Sequence, residues 1–434
     1  MPRLRVLLAP IIFALAVMPA QTVTATPVDT GLVDYIFELE PGEDAESWAE
    51  RIFDELDIPE DRLIYTYEAA INGLWMRLTP DEIDDAEDLK PEGIFNGQAA
   101  FEVSVPRPME MEGGHAYDGP QITSTGYARV EATSGDYSDV DIAILDTGVD
   151  AFNDDLNVVG GFDCTFEGHP DEWGIDGYGH GSHVGGIAAA LDNDRFVVGP
   201  AAGARIHSFK VLGADGSGSM ASVLCGVDQV AKQATTIEVA NLSLGGENLP
   251  SDCYSLDSLH NGFCNTAAMG VTFVVSAGNS ATDAIHSSPA NYGESVVTVS
   301  SLADFDGLPG GLHEQPGPCA VNSPDDTLAT YSNYGSLIDF IAPGTCIYST
   351  LPGNTAASFS GTSMAAPLTT GVLAAWISQC GRDHAVEAVT AWSLDVWAAD
   401  ETWTGDHGPD HEPLIRFGAP CPTPEQLEQW EEAT

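Results

Sequence analysis

From about residue 139 onward, the chain alternates between short apolar segments and longer segments with the apolar spacing of helices. Helices joining parallel strands in this way cover both faces of the sheet. The predicted fold class is therefore α/β, a mostly parallel sheet with helices on both faces, preceded by a small α+β domain. Functional side chains are expected at the carboxyl ends of the strands. The predicted strands are 140–145, 206–212, 239–244, 271–276, 296–300 and 337–341, and the predicted helices are 181–191, 221–233, 256–269 and 363–378.

Residues 26 to about 104 differ in composition, with 22 acidic residues, 4 basic residues and no cysteine. Their apolar patterns predict the small α+β unit. Prolines and glycines between residues 106 and 120 mark an exposed linker after it. The predicted strands of this unit are 33–39, 63–66 and 73–78, and its predicted helices are 44–56 and 80–89.

The first 25 residues have the pattern of a secretory signal peptide. Arg3 and Arg5 precede an apolar stretch over 6–17, and Ala20 or Ala25 follows as a small residue suited to cleavage. The alternative is an uncleaved helix at a membrane surface, but the nearby cleavage site favours removal. We therefore expect a secreted protein with no membrane attachment after signal removal.

The charge balance is strongly acidic, with 66 acidic against 14 basic residues and a formal net charge of −52. Such a surface would repel a polyanion, which argues against nucleic acid as a partner. Apolar residues make up 43% of the chain, enough for a substantial core, which excludes a disordered acidic polymer. Beyond residue 104, Lys210 and Lys232 are the only lysines. An acidic, lysine-poor surface suggests a saline environment, where salt screens its self-repulsion.

All eight cysteines follow residue 160, and none forms a C-x-x-C pair of the kind that binds zinc. In an exported protein this pattern favours disulfides. Eight cysteines allow 105 complete pairings, so the connectivity stays open. Cys253 and Cys264 are the closest in sequence and are the simplest pair to propose.

The first motif with catalytic potential is Asp146-Thr147-Gly148, directly after a predicted strand. The same tripeptide occurs at Asp29-Thr30-Gly31. Two copies would suit an aspartic protease with paired carboxylates, which is the alternative among hydrolases. However, no strand precedes Asp29, and a motif outside its structural context is a weak guide.

The second motif is Gly179-His180-Gly181-Ser182-His183, which opens a predicted helix. Glycines on both sides of His180 allow another element to approach its ring closely, so His180 is the candidate base. His183 lacks such flanks and is predicted to be a packed or hydrogen-bonded helix residue.

Two further motifs supply a nucleophile and an amide. Ser363 lies in 360–367, where a strand-like segment meets an apolar helix, so that free backbone N–H groups would favour a developing oxyanion. Its alternative role is a simple N-cap. Asn279 follows the predicted strand 271–276 and is either a turn former or a second oxyanion donor.

In their order Asp, His, Asn and Ser, these motifs resemble those of subtilisin-like serine proteases, closest to the proteinase K branch. The resemblance covers about residues 140–380 and includes the stretches 241–246, 288–290, 331–336 and 341–344. It implies that Ser363 attacks the scissile carbonyl, that His180 transfers the proton, and that Asp146 orients the imidazole. Asn279 and the Ser363 backbone N–H would stabilise the oxyanion.

The same resemblance implies where a peptide substrate binds. Two segments would pair with an extended peptide, and small residues would line a roomy apolar pocket that prefers large apolar or aromatic side chains before the cut. The implied pairing residues are Ser217, Gly218, Ser219, Ser243, Leu244, Gly245 and Gly246, and the implied pocket residues are Gly245, Gly246, Ala277 and Gly278.

The first unit resembles the inhibitory propeptide of the family through the stretch 67–74. The implied organisation is a signal peptide over 1–25, a propeptide over 26–108 and a catalytic domain over 109–434, with self-cleavage between Ser104 and Gly119. A monomer is expected that acts on proteins and is inhibited by its own propeptide. No cofactor is expected for the chemistry, although the resemblance makes Asp339 a candidate ligand for structural calcium. Residues 246–262 and 306–328 look like insertions at the rim of the cleft.

Two rival functions remain open. One is a catalytically silent binding protein of the same fold, which the intact set of Asp146, His180, Asn279 and Ser363 disfavours. The other is a processing enzyme dedicated to one natural substrate, which only substrate profiling would distinguish from a protease of broad specificity.

Overall fold

The structure is a computed structural model, and it describes residues 31–89, 94–105, 115–116, 119–165, 170–248, 251–311, 313, 322–400 and 412–431. The predicted signal peptide over 1–25 lies outside the described residues, as does Asp29 of the alternative tripeptide. Most of the predicted linker and cleavage region also lies outside them.

The N-terminal unit is an antiparallel sheet with strand order β2-β3-β1-β4, accompanied by two helices. Helix α2 begins with a capping box, in which the Thr79 hydroxyl accepts from the Glu82 backbone and the Glu82 carboxylate accepts from the Thr79 backbone. The predicted strands and helices of this unit are present to within two residues. Its elements are β1 Val33–Leu39, α1 Ala45–Leu56, β2 Leu63–Tyr67, β3 Gly73–Leu78, α2 Pro80–Asp88 and β4 Ile94–Ala99.

The two faces of this small sheet have different roles because successive side chains of a strand point to opposite faces. Tyr35 and Phe37 of β1 pack with Trp48 of α1 in a core of the unit's own. Ile36, between them, and Trp75 of β3 belong instead to a larger cluster shared with the rest of the protein. The N-terminal unit is therefore docked by its second face.

The remaining described elements follow in chain order. The strands are β5 Glu102–Ser104, β6 His115–Ala116, β7 Asp141–Asp146, β8 Val158–Asp163, β9 Arg205–Lys210, β10 Ser217–Ser219, β11 Val239–Leu242, β12 Gly246–Glu247, β13 Thr272–Ser276, β14 Ser287–Ser288, β15 Val297–Ala303, β16 Thr327–Leu328, β17 Phe340–Pro343, β18 Ile347–Leu351 and β19 Thr355–Phe359. The helices are α3 Thr125–Arg129, α4 His180–Ala189, α5 Met220–Lys232, α6 Ser258–Ala267, α7 Thr362–Cys380, α8 Ala385–Asp400 and α9 Pro424–Glu431.

Among the described residues, the central sheet has eight strands in the order β16-β15-β13-β11-β7-β9-β8, with β17 also paired to β15. Only β16 runs antiparallel to its neighbour, so the predicted mostly parallel sheet is confirmed. Alternate residues of β7 define its two covered faces. Ile142 and Ile144 pack in the cluster that contains α4 and α7, whereas Ala143 and Leu145 pack in the cluster that contains α5 and α6.

Several elements of the structure differ from those predicted. Strand β8 contains Gly160 and Gly161, which weaken a strand pattern. The hairpin of β18 and β19 and the helix α8 were not predicted. The segment predicted as a strand over 337–341 forms one only from Phe340, because Gly335 to Asp339 makes a turn in which the Ile338 N–H bonds to the Gly335 carbonyl.

Disulfides join Cys164 to Cys225, Cys253 to Cys264 and Cys380 to Cys421, and Cys346 is also disulfide-bonded. The predicted Cys253–Cys264 bridge is therefore present. Within the described part of the chain, no helix combines the length and the apolar character needed to cross a membrane.

Candidate active site

The candidate catalytic residues lie where the parallel strands end. Asp146 is the last residue of β7, and His180 is the first residue of α4. Asn279 follows β13 by three residues, and Ser363 is the second residue of α7. The sheet therefore gathers residues that are far apart in sequence at one edge, as the topology of a parallel sheet requires.

Asp146 and His180 form a closely coupled, buried pair. The His180 Nδ1 atom lies 2.9 Å from each carboxylate oxygen of Asp146. The two side chains are 0% and 2% exposed. The Asp146 Oδ1 atom also accepts from the Thr147 N–H at 2.7 Å. A proton on Nδ1 leaves Nε2 as the ring's acceptor, which is the tautomer that a general base needs.

A second buried carboxylate, Asp176, holds this pair in place. Its Oδ1 accepts from the Thr147 hydroxyl at 2.8 Å and from the Gly179 N–H at 2.7 Å. Its Oδ2 accepts from the Ser182 N–H and hydroxyl at 2.9 and 2.8 Å. Burial raises the pKa of Asp176, while these hydrogen bonds act against the rise. Asp176 thus joins Thr147, which follows Asp146, to Gly179 and Ser182 on the two sides of His180.

Sequence reasoning did not find Asp176. The available signal was an acidic residue four positions before His180 in a glycine-rich loop, and such a residue is usually a solvated turn former.

Ser363 lies at the start of α7 and is 4% exposed. Its hydroxyl donates to the Ser243 carbonyl at 3.2 Å, and the Ser243 hydroxyl donates to the Ser363 carbonyl at 2.9 Å. A hydrogen bond from Ser363 to His180 is not among those formed by the described residues. Catalytic hydrogen bonds often shorten only when substrate is bound, so a rotation of the hydroxyl toward Nε2 is compatible with this arrangement.

The amide of Asn279 is oriented by the residue before Ser363. Its Oδ1 accepts from the Thr362 N–H at 2.9 Å and from the Thr362 hydroxyl at 3.0 Å. The Thr362 hydroxyl in turn accepts from the Gly278 N–H at 3.2 Å. Since the oxygen of the amide is engaged on one side, its Nδ2 is the group left to donate to a substrate.

His183 has the environment expected of a packed helix residue. It is 0% exposed, and its Nε2 lies 3.0 Å from the Ala357 carbonyl. Its ring stacks on Phe359 with the ring centroids 4.2 Å apart. Burial lowers the pKa of His183 to about 3, so the ring is neutral at any pH at which a protease of this kind would work.

The segments predicted to bind substrate are already paired with part of the chain itself. Strand β5 runs antiparallel to β10, with Ser104 opposite Ser217. On its other side, Ser104 exchanges two backbone hydrogen bonds of 3.1 and 3.2 Å with Gly245. The Val105 N–H then donates to the Gly216 carbonyl at 3.0 Å. The extended segment 102–105 therefore lies between the two segments that are predicted to bind substrate.

A cavity of about 380 Å³ opens beside Ser363. All three glycines expected to line this cavity do so. Ala277, the fourth expected residue, is fully buried and is not part of the lining. The lining includes Gly245, Gly246, Gly278, Asn279, Ser276, Ser280, Ser287 and Ser288. With Ser104 and Ser363, six serines line the cavity, together with Glu102 and Glu247. The lining is therefore more polar than expected, and the preference for large apolar side chains stays a prediction.

The candidate metal ligand Asp339 accepts from the Thr298 N–H at 2.8 Å and lies in a groove with Glu294 and Val296. Among the described residues, Asp339 is in neither of the two groups of three side chains spaced to hold a metal ion. Calcium binding at Asp339 therefore stays a prediction.

One of those two groups is a disulfide site, and the other contains an ion pair. In the group Cys253, His260 and Cys264, the two sulfurs are joined in a disulfide. In the group Asp304, Asp306 and Asp325, the Asp304 carboxylate lies 2.8 Å from the Arg129 guanidinium.

Comparison with known proteins places the chain in a family. Residues 138–412 match the family model described as the subtilase family. The chain belongs to this family. It is 32% identical over 346 residues to M-protease of Shouchella clausii (strain KSM-K16), a match that covers 79% of this chain and 77% of that protein. It is 36% identical over 259 residues to Subtilisin Savinase of Lederbergia lenta, covering 58% and 84%.

A similar solved structure supports the same family assignment. The crystal structure of a cold adapted subtilisin-like serine proteinase superposes with a TM-score of 0.53 and 26% sequence identity, covering 70% of this chain and 99% of the other. The chain is therefore a subtilisin-like hydrolase with serine protease relatives, and it acts on proteins. Subtilases need no cofactor for catalysis. The alternative of an aspartic protease is not supported, because the family uses a serine nucleophile.

Replacing Asp176 by Asn should lower kcat by about tenfold or more, since small misplacements of catalytic groups are costly. The asparagine would place an NH2 group where backbone N–H and side-chain hydroxyl groups now donate to a carboxylate oxygen. Peptide hydrolysis measures the effect, with Asp171→Asn as the control because Asp171 is exposed in the preceding turn. Equal kcat values in the two variants would show that Asp176 does not position the pair.

Proposed function

We propose that this chain is the precursor of a secreted serine endopeptidase in which Asp146, His180, Asn279 and Ser363 perform acyl transfer. The observation that carries the proposal is the buried hydrogen bond between Asp146 and His180 at the strand ends, with Ser363 at the start of a nearby helix. This geometry and the chemistry of peptide hydrolysis support the roles proposed for the four residues.

In the first half of the reaction, the Ser363 Oγ attacks the scissile carbonyl carbon while the His180 Nε2 takes the hydroxyl proton. Asp146 stabilises the imidazolium that forms. The oxyanion accepts hydrogen bonds from the Asn279 Nδ2 and from the Ser363 backbone N–H. Collapse of the tetrahedral intermediate expels the amine, which takes its proton from His180, and leaves an acyl group on Ser363.

In the second half, water replaces the amine. His180 takes a proton from the water as its oxygen attacks the acyl carbon, and then returns that proton to the Ser363 oxygen as the acid leaves. The oxyanion forms again at the same donors. A catalytically silent binding protein is the rival function, but the described site lacks none of the groups that these steps need.

The proposed substrates are extended peptides that add a strand between Ser217–Ser219 and Ser243–Gly246. Backbone pairing of this kind tolerates many side chains, which favours broad specificity over a single dedicated substrate. The pocket beside Ser363 would take the side chain before the cut, and we propose a large apolar or aromatic residue there. Assignment to the proteinase K branch rests on the motifs alone, because none of the relatives named above is described as a proteinase K.

We further propose that residues 26–108 are a propeptide that inhibits the enzyme until it is cut off. Residues 102–105 pair with both substrate strands and so block the cleft. The sheet of the N-terminal unit covers α5 and α6 through side chains such as Ile36 and Trp75. A signal peptide over 1–25, self-cleavage between Ser104 and Gly119, and a monomeric mature enzyme complete the proposal.

One buried carboxylate of α5 holds the N-terminal unit in place. The Asp228 Oδ1 accepts from the backbone N–H groups of Glu68, Ala69 and Ala70 at 3.1, 2.6 and 2.8 Å. Its Oδ2 accepts from the Tyr65 hydroxyl at 2.8 Å. Asp228 is 0% exposed. The three N–H groups directed at this oxygen would be left unpaired without it.

The proposed catalytic role of Ser363 predicts a specific pattern of maturation. The wild-type precursor should lose a segment that ends between Ser104 and Gly119 and should then digest casein. The Ser363→Ala variant should remain full length and inactive, since the nucleophile is missing. Mass spectrometry and casein hydrolysis measure both effects.

The control is Ser378→Ala, at a half-buried position near the end of the same helix, where the Ser378 hydroxyl donates to Asp139. This control should mature normally. A Ser363→Ala protein that matures and digests casein at the wild-type rate would end the proposal.

The proposed docking by Asp228 predicts that Asp228→Ala loosens the N-terminal unit. The loss of hydrogen bonds to a charged group should cost about 2 kcal/mol or more. In a full-length Ser363→Ala background, trypsin should cut at Arg51, Arg62, Arg77 and Lys90 at least about tenfold faster. Gln233→Ala, at the end of the same helix, should leave the cutting rate unchanged. Equal protection in both variants would contradict the role of Asp228.

The acidic surface supports a saline working environment. Of the two lysines beyond residue 104, Lys210 is 9% exposed and bonds the Thr147 and Leu212 carbonyls. Only Lys232 therefore offers an ammonium group near the surface, beside Asp228 and Glu68. Salt at 1 M shortens the screening length to about 3 Å, which should relieve repulsion among the carboxylates.

We expect thermal stability and activity to rise between dilute buffer and molar sodium chloride. An uncharged osmolyte at the same osmolality serves as the control, since it acts by exclusion from the surface rather than by screening. A flat response to salt, or an equal response to the osmolyte, would contradict the saline interpretation.

A further inference from the structure

Asn333 lies between β16 and β17, is 0% exposed, and points its side-chain amide at the wall of the cleft. Its Nδ2 donates to the Ala277 carbonyl at 2.8 Å and to the Ser287 hydroxyl at 3.0 Å. Its Oδ1 accepts from the backbone N–H groups of Ser280 and Thr282 at 3.0 and 3.2 Å. Both donors and the acceptor of one carboxamide are therefore used within the cleft wall.

These bonds join two separate parts of the pocket beside Ser363. Ala277, Ser280 and Thr282 belong to the loop after β13, whereas Ser287 belongs to β14. Ser280 and Ser287 both line the cavity of about 380 Å³. Asn333 thus bridges these two parts of the lining.

Asn333 also binds both neighbours of the proposed oxyanion donor Asn279. Its side-chain Oδ1 accepts from the Ser280 N–H at 3.0 Å, and its backbone N–H donates to the Gly278 carbonyl at 2.9 Å. Gly278 has a φ of +104°, and a Cβ there would lie 2.4 Å from the Asn333 Nδ2. The loop approaches Asn333 so closely that only glycine fits at residue 278.

We propose that Asn333 is a positioning and specificity-determining residue, which sets the width of the pocket before the cut and the placement of the Asn279 amide. This inference rests on the proposed function, because it assigns a role to a residue behind the proposed pocket and oxyanion site. Asn333 touches neither the substrate nor Ser363 and acts through the loop that it holds.

The test compares Asn333→Ala, which loses every side-chain bond, with Asn333→Asp, which keeps the acceptor but cannot donate to the Ala277 carbonyl. Ser287→Ala removes only the bond to the pocket lining. Asn157→Ala is the matched control, because the Asn157 amide also bonds a backbone carbonyl, that of Gly203 at 2.9 Å, away from the cleft. Full-length precursors are expressed, and any that mature slowly are processed with a trace of tagged wild-type enzyme that is then removed.

Two readouts separate positioning from stability. Titration with a fluorophosphonate counts reactive molecules, and kcat and KM are then measured per reactive site on two peptides that differ in having Phe or Ala before the cut. Both Asn333 variants should lose kcat by about 10- to 100-fold, because a misplaced donor fails in the transition state. Both should also lose discrimination between Phe and Ala. Ser287→Ala should also change the discrimination, because it loses the bond that joins this part of the pocket lining to Asn333.

A purely structural role predicts a different result. The Asn333 variants would then show a lower melting temperature and fewer titratable sites, with wild-type kcat and discrimination per site, and this outcome would overturn the inference. Unchanged discrimination in Ser287→Ala would overturn the claim about pocket width. A wild-type protein that neither reacts with the fluorophosphonate nor cleaves either peptide would instead overturn the proposed function itself.

Discussion

The hydrogen bond between Asp146 and His180 requires β7 and α4 to approach each other more closely than ordinary side chains would allow. A Cβ on Gly181 would lie 2.0 Å from the Gly148 carbonyl oxygen, and Gly148 itself has a φ of +98°. The glycines around the aspartate and the histidine are therefore the condition for burying this pair. Asp176 then fixes the approach by binding the Thr147 hydroxyl on one side and the Gly179 N–H on the other.

Burial gives this pair its chemical character. Water is excluded from the Asp146 carboxylate, so its attraction for a developing imidazolium is stronger than it would be at the surface. The parallel sheet supports the arrangement, because β7, β11 and β13 end at one edge and present their following loops to a shared cleft. The segment 102–105 lies in that cleft, and Asp228 holds the rest of the N-terminal unit against α5.

The sequence was most informative where a motif stands next to a regular element. The alternation of strands and helices predicts the parallel sheet, and each candidate catalytic residue adjoins a strand or helix end that the apolar pattern makes visible. The Cys253–Cys264 bridge was predictable because its loop is short. Within the N-terminal unit, the alternation in β1 and the capping box of α2 are local signals of the same kind.

Residues that act over long sequence separations were not predictable in this way. Asp176 meets Thr147 across 29 positions, Asn333 meets Ala277 across 56, and Asp228 meets Ala70 across 158. In a single sequence, each of these three is an ordinary polar residue in a loop or helix. The serines of the pocket were also not predictable, because pocket lining depends on tertiary packing that local patterns do not carry.

The central claim is that Ser363 is the nucleophile activated by the buried Asp146–His180 pair. The most direct measurement is peptide mapping by mass spectrometry of the mature protein after reaction with a fluorophosphonate, with residual peptidase activity followed in parallel. The account predicts a single adduct, on Ser363, whose extent matches the loss of activity. An adduct on another residue, or hydrolysis that survives complete modification of Ser363, would contradict it.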